Sequence, residues 1–439
     1  RYTVNGTVRY EGTNKLGKSR DARWLPTWNV AGSWNMHEEE FFKSLEPALS
    51  HFTLRASYSL TADSGPSNVT NSRAVFMSKN PWRPQTNAQE SALELYDIEN
   101  SELTYEKKHE LNIGADMGFI NDRINLSVDV YKRNNYDLIG STTTMGIGGV
   151  VDKMANVAEM KSHGVEVSLS TTNINMKNFR WTTDFIFSYT KNEITKMNSS
   201  KRAIDMITGS GFGMKDYPVR CLFSIPFLGL NEDGLPTFLN EKKEVTVSDI
   251  NFQESNDISF LRYEGPSEPT VTGSFGNTFS YKGLKLNVFM TYSFGNKLRL
   301  DPVFKYSYSD LDAMPKEFKN RWMIPGDERY THVPVISSKR QHNKNGSLSY
   351  AYNAYNNSDV RVADGGFIRM KEISLSYDFP KKLITKIGFN SLSMKLQGTN
   401  LFLIYADDKL NGQDPEFFRS GGVAAPVPKQ FTFTLRLGL

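Results

Sequence analysis

Apolar and polar residues alternate in about twelve short segments of this chain, joined by connections that are by turns very short and very long. The run from Leu284 to Tyr292 is the plainest, with Leu284, Leu286, Val288, Met290 and Tyr292 on even steps and Lys285, Asn287 and Thr291 between them. Successive side chains of a strand point to opposite faces, so such a run is apolar on one face and polar on the other. The same period returns in Ile124, Leu126, Val128 and Val130, and in Phe431, Phe433, Leu435 and Leu437. Further strands are predicted at Phe52–Leu60, Leu111–Gly118, Val165–Ser170, Trp181–Tyr189, Ile373–Phe379 and Leu392–Thr399, with weaker ones at Thr3–Tyr10 and Thr27–Trp34. A tilted strand crosses a bilayer core in about 9–11 residues, close to the length of these runs.

Short connections are predicted at Glu38–Ser50, Phe119–Asp122, Thr171–Phe179, Tyr281–Gly283 and Pro380–Asn390. The long ones are Glu11–Pro26, Thr61–Lys108, Asn134–Lys161, Lys191–Thr270, Gly295–Asp364 and Ile404–Pro428. Short periplasmic turns alternating with long external loops are the habit of outer-membrane barrels. The expected fold class is therefore all-β, a transmembrane antiparallel β-barrel whose last strand runs toward the periplasm. Loops of this length are expected to be folded binding or docking surfaces.

Composition sharpens the picture. Only 38% of residues are hydrophobic, the mean hydropathy is -0.47, and no apolar run reaches the roughly 18 residues of a spanning helix. A helical membrane protein is excluded, whereas a barrel wets half of each strand and escapes hydropathy. The 28 Phe, 20 Tyr and 6 Trp suit interfacial girdles. A net charge of +4, from 52 basic and 48 acidic residues, gives no reason to expect nucleic acid. Cys221 is the one cysteine and can form no internal disulfide.

Candidate chemistry is sparse. His37, His51, His109, His163, His332 and His342 are dispersed, and no enzyme is expected; His109 and His163, at strand starts, suit pore-lining or interfacial roles. Gly146-Ile147-Gly148-Gly149 lacks the Lys-Ser/Thr of a phosphate loop and reads as a glycine cluster. Asp407, Asp408, Asp414 and Glu416 match no known calcium-loop spacing, so neither metal nor cofactor is expected. Seven loop aromatics, Trp82, Tyr96, Trp322, Tyr330, Tyr350, Tyr352 and Tyr355, are candidate substrate or lid contacts, against the competing reading that they pack the loops' own interiors. Arg55, Asp116, Asp129, Glu166, Asp184, Lys395 and Gln397 are expected to face the lumen, most of them pairing with a plug and some with cargo.

Several strings in order are familiar: WLPTWNVAGSWNMHEEEFF (Trp24 to Phe42), LRASYSLTAD (Leu54 to Asp63), LTYEKKHELNIGADMGFINDRINLSVDVYKRNNYDLI (Leu103 to Ile139) and FRWTTDFIFSYTKNEI (Phe179 to Ile194). GLNEDGLPTF (Gly229 to Phe238), DGGFIRMKEISLSYDFP (Asp364 to Pro380), LQGTNLFLI (Leu396 to Ile404) and GQDPEF (Gly412 to Phe417) follow. In these strings the chain resembles the C-terminal half of the SusC/RagA family, TonB-dependent outer-membrane transporters of Bacteroidota-type bacteria. The resemblance implies a barrel of about 22 strands, of which residues 1–439 supply the last twelve, with plug domain and TonB box upstream. The opening Arg1-Tyr2-Thr3, inside a strand-like run with no secretory leader, agrees with such a start. The implied function is TonB-dependent import of oligomeric nutrients, oligosaccharides first, across the outer membrane. Implied partners are a SusD-like surface lipoprotein serving as lid, TonB, outer-membrane lipid and a second transporter-lipoprotein pair forming a homodimer. Oligopeptide import, a passive porin and a secreted β-rich adhesin are the alternatives. Two features depart from the family pattern: the terminal Leu439 in place of an aromatic, and Asp63 to Asn68 (DSGPSN) in place of a glycine-rich string.

Overall fold

The computed structural model describes residues 1–439 apart from 47, 66–72, 84, 86, 147–151, 198–201, 209–212, 241, 251, 253–257, 305–313, 346–347, 386–387, 419–426 and 439. Twelve long strands form one sheet in chain order: β1 (Tyr2–Gly12), β2 (Trp24–Asn35), β3 (Leu49–Asp63), β4 (Glu106–Phe119), β5 (Ile124–Thr143), β6 (Asp152–Asn175), β7 (Phe179–Met197), β8 (Val271–Tyr281), β9 (Leu284–Phe294), β10 (Phe367–Asp378), β11 (Ser391–Ala406) and β12 (Gln430–Gly438). Among the described residues no helix is long and apolar enough to cross a membrane. The chain divides into two compact units, one of Arg1–Ser168, Thr190–Ser200 and Met214–Val219, the other of Leu169–Tyr189, Lys201–Gly213 and Arg220–Leu439.

In the first unit the antiparallel register places Val4, Gly32, Ala56, Ile113 and Val130 in one row across β1 to β5. Val4 is 80% exposed and Val130 50%. One residue along, the row reads Ser33, Arg55, Gly114 and Asp129, which lie on the other face. In the second unit Trp181, Phe279, Leu286, Leu375, Leu396 and Phe433 line up across β7 to β12. The neighbouring row is Arg180, Ser280, Lys285, Ser376, Lys395 and Thr434. Such alternating apolar and polar rows arise when a period-2 sequence pairs without slippage, because a slip of one residue would mix them. An exposed apolar face continuous over many strands is the lipid face of a barrel wall.

Aromatic rings border that face. Trp28, Tyr58, His109 and Tyr136 contact one another near the long-connection ends of β2 to β5. Near the short turns, Trp181 stacks on Phe279 with centroids 5.6 Å apart, and Tyr377 meets Phe379 at 4.8 Å. Rings at strand ends suit membrane interfaces. His109 is one of the rings of the first group.

The β8–β9 turn is Lys282-Gly283, both with positive φ (45° and 90°), the geometry that matches the twist of paired strands. A Cβ on Gly283 would stand 2.7 Å from the Asp378 carbonyl oxygen, so this position admits only glycine without strain. The predicted Asn121-Asp122 turn likewise has φ of 53° and 58°.

Several expected boundaries change. β8 was marked in the sequence only by the connections on either side. Asn134–Lys161, expected as a long connection, is mostly strand, since β5 runs to Thr143 and β6 starts at Asp152. Its register with β4 continues through His109↔Asn134, Lys108↔Asn135 and Lys107↔Tyr136. Where strands rise above lipid the outward face has no need to be apolar, so the alternation stops before the strand does. Toward the short turns, β6 also extends to Asn175, past the predicted start of the Thr171–Phe179 connection. Ile147, Gly148, Gly149, Leu439 and the later part of DSGPSN lie outside the described residues.

Candidate functional site

The polar side of the sheet carries linked charges. In the first unit, Arg55 Nε donates to Asp116 Oδ2 at 2.7 Å and its Nη2 donates to Asp129 Oδ2 at 3.1 Å. Ser127 Oγ donates to Asp116 Oδ1 at 2.6 Å. Beside this cluster Glu110 accepts from Arg133 at 2.9 Å and pairs with Lys108 at 3.2 Å. In the second unit an open cleft on the polar face is lined by Lys285, Glu372, Asp378, Lys395, Gln397 and Arg436, with Lys395 and Glu372 3.7 Å apart. Asp184 accepts from Ser170 at 2.8 Å, and Glu166 is exposed on β6. The groove thus carries charges of both signs.

The connections before β8 and before β10 fold together into a platform in the second unit. Cys221–Ser224 pairs with Arg262–Pro266, Phe227–Leu230 pairs with Pro236–Leu239, and Lys297–Arg299 pairs with Val362–Asp364. Two buried arginines join these pieces. Arg299 donates to the Phe223 carbonyl, to Ser224 Oγ and to the Ser358 carbonyl. Arg361, only 1% exposed, donates to Glu317 Oε2 and to the Asp301 carbonyl, each at 2.6 Å. A buried guanidinium offers five donors in a fixed plane and so ties several chain segments at once. Burial pushes the Cys221 thiol up to about 12.

Five of the seven candidate aromatics stand in the platform. Tyr355 is fully buried between Phe227 and Phe304. Trp322 is 8% exposed and donates through Nε1 to Glu328 at 3.0 Å, its ring lying over Gly234. Tyr352 donates to the Val335 carbonyl at 2.6 Å and packs on Phe304. Tyr355 and Trp322 thus lack an accessible ring face, and Tyr352 is turned to the loop interior, because a helix (Leu348–Asn356) and its partners must bury an apolar stripe of their own. Tyr330 and Tyr350 stay exposed, at 90% and 43%. Trp82 and Tyr96 lie on hairpins of the β3–β4 connection in the first unit, 57% and 63% exposed.

Nothing in the sequence reading singled out Arg299, Arg361 or Arg369. Arg369 lies within DGGFIRMKEISLSYDFP and holds Asp414 Oδ1 of GQDPEF at 2.5 Å and Glu416 Oε2 at 3.1 Å. Asp407 Oδ2 accepts from the Asp364 backbone N–H at 2.7 Å. Three of the four carboxylates weighed for calcium, Asp407, Asp414 and Glu416, are therefore engaged by an arginine or by backbone donors. Among the described residues no group of three or more His, Cys, Asp or Glu gathers as a metal site. His37 and His51 rings are 6.3 Å apart, and His51 Nδ1 is 3.0 Å from Asp122.

Residues 1–401 match the family model described as TonB dependent receptor-like, beta-barrel. The chain belongs to that family. It is an outer-membrane β-barrel protein, with its apolar rows toward lipid. TonB-dependent receptor P39 of Formosa agariphila is 25% identical over 97% of this chain and 43% of its own length. TonB-dependent receptor SusC of Bacteroides thetaiotaomicron is 24% identical over 100% of this chain and 42% of its own. The chain thus spans less than half the length of these curated relatives. A solved RagAB peptide transporter superposes with a TM-score of 0.77 at 22% identity, covering 99% of this chain and 45% of that one, which is a likeness of fold.

Proposed function

We propose that this chain is the C-terminal part of the barrel wall, with its extracellular platform, of a transporter importing oligomeric nutrients under TonB control. The barrel has about 22 strands, and the plug and TonB box belong to its earlier part. The observation that carries this reading is the combination of a wetted, mixed-charge inner wall with loops folded around buried arginines. A passive pore needs the first alone. Binding loops on a rigid scaffold are how recognition is built. A SusD-like surface lipoprotein closes over the platform, and transporter-lipoprotein pairs assemble as a homodimer. Exposed Trp82, Tyr96, Tyr330 and Tyr350 are the rings available to cargo or lid, and the work is binding and gating with no catalytic step.

Oligosaccharides are the first cargo class, since exposed rings stack on sugar faces. Oligopeptides are the second, supported by the fold likeness to the RagAB peptide transporter. Deleting the gene for the whole protein and growing cells on defined oligosaccharides or peptides as sole carbon source tests both. Loss of growth on the oligosaccharides is expected; unchanged growth on every substrate overturns the reading.

A further inference from the structure

The apolar outer face of the second unit is interrupted on β6 to β8. The row through Asn277 reads Thr183, Asn277, Val288 and Ile373 across β7 to β10, polar on the first two strands and apolar on the next two. Thr171 and Asn173 of β6 continue the polar stretch. Its members are bonded in one direction. Asn173 Nδ2 donates to Thr183 Oγ1 at 2.7 Å, and Thr183 Oγ1 donates to Asn277 Oδ1 at 2.8 Å. Trp181 Nε1 donates to the same oxygen at 2.8 Å. An indole N–H can only donate, so it fixes the Asn277 oxygen toward the chain and leaves the Nδ2 hydrogens as the open end of the network. A donor left unpaired against hydrocarbon is costly, so an acceptor from outside the chain meets it.

The strand ends beside this patch are basic. The Lys282 backbone N–H donates to the Asn178 carbonyl at 3.2 Å, so the Lys177-Asn178 and Lys282-Gly283 turns lie side by side. Both lysines are exposed, and Lys282 Nζ lies over the outward Tyr281 ring, 5.3 Å from its centroid. Residues 174–180 and 280–285 hold Lys177, Arg180, Lys282 and Lys285 and no Asp or Glu. Arg180 and Lys285 belong to the polar face. So does Asp378, the acid of the next turn, which is in register with Ser393 and Arg436. In the first unit the 36–49 connection carries Glu38, Glu39, Glu40 and Glu46 against His37 and Lys43, so cationic turns are not general to this end of the strands.

We propose that this outer edge of β6 to β8 is a site for one anionic phospholipid of the periplasmic leaflet, such as phosphatidylglycerol, beyond the general contact of the wall with lipid. The phosphate and ester oxygens of a phospholipid are all acceptors. The edge meets them with donors, two ammonium groups at the turns and the Asn277 amide further in. The order along the strands matches that of the lipid: charged head at Lys177 and Lys282, ester-linked region at Asn277, and acyl chains against Phe185 and Phe275 in the next outward row. Lysines at a membrane surface draw anionic lipid by electrostatics alone, and a donor fixed by Trp181 sets where the lipid lies. A second copy of the chain fits less well. It would bring another pair of lysines to the same edge, and acceptors and donors together where the network ends in a donor.

The test uses the full-length protein in a nonionic detergent, its lipid adducts counted by native mass spectrometry during titration with phosphatidylglycerol and with phosphatidylcholine of the same acyl chains. The parent is expected to retain phosphatidylglycerol at about fivefold lower concentration than phosphatidylcholine. Lys177→Ser combined with Lys282→Ser should erase that preference. Asn277→Leu, which extends the apolar row, should weaken phosphatidylglycerol about threefold to tenfold, with heat-dependent gel mobility unchanged in both variants. Equal retention of the two lipids by the parent overturns the proposal. So does a preference that survives in the lysine variant, or phosphatidylglycerol retention equal to the parent's in Asn277→Leu. Loss of a dimer mass in Asn277→Leu with lipid retention unchanged would also overturn it and give the patch to a protein partner. Glycerol phosphate, a headgroup without chains, should not displace the lipid at millimolar concentration; displacement would overturn the lipid assignment in favour of a soluble anion.

Discussion

Gly114 sits directly across the β3–β4 ladder from Arg55, and the Arg55 guanidinium passes over it to reach Asp129 on β5. A Cβ at Gly114 would lie 2.9 Å from Arg55 Nη2 and closer still to Asp129 Oδ1. The missing side chain is what allows one arginine to join three strands. Gly114→Val is expected to expel Arg55 from Asp129 while leaving the Asp116 pair, lowering stability by about 1–2 kcal/mol. Urea unfolding followed by gel mobility checks it, and a midpoint equal to the parent's would contradict it.

The platform should depend on Arg361 far more than on any surface charge. Its guanidinium side chain is 1% exposed and Glu317 20%, so removing the arginine strands a mostly buried carboxylate. Arg361→Met is expected to cost the platform about 3–5 kcal/mol, while Lys344→Ala, which breaks an exposed pair with Asp233 at 3.4 Å, changes stability by less than about 1 kcal/mol. Limited proteolysis across 220–366 reads the difference as early cleavage in the first variant only.

Cys221 gives a chemical reporter of the same fold. With its thiol held near 12 by burial, almost no thiolate exists at pH 8. Iodoacetamide should leave the native protein unlabelled and label it at once in denaturant. Arg361→Met should give intermediate labelling without denaturant. Rapid labelling of the native parent would show that the platform core is open.

Acid should loosen the loop at Trp322 through Glu328. Hydrogen bonds from Trp322 Nε1 and from the Gly326 backbone N–H hold the Glu328 carboxyl below its ordinary 4.5. A group depressed in the folded state stabilises above its unfolded pKa and loses that contribution as pH falls through the folded value. Difference fluorescence between the parent and Trp322→Phe should be flat from pH 8 to pH 5 and change below about pH 4.5. Glu328→Gln should abolish the change.

Strands were readable wherever one face meets lipid, because a lipid-facing row forces an apolar residue at every second position. β8 escaped direct notice since Gly273 and Asn277 occupy the same face as Val271, Phe275 and Phe279 and dilute its alternation. The upper parts of β5 and β6 escaped for the complementary reason, having no lipid to face. Among the loop aromatics, Tyr350 and Tyr355 look alike in composition yet share one helix, Leu348–Asn356. There the spacing Leu348, Ala351, Tyr355 marks a buried stripe and leaves Tyr350 outside it. The arginine ties gave no local signal at all, since Arg361 meets residues 44 and 60 positions away.

Energised import through this wall and platform, as proposed, would make uptake depend on TonB. Its most direct test is the initial rate at which cells expressing the full-length protein take up a fluorescent oligosaccharide, measured with TonB present and with TonB deleted. Saturable uptake that disappears without TonB is the predicted result. Uptake that continues unsaturated without TonB would identify a passive pore and contradict energised import.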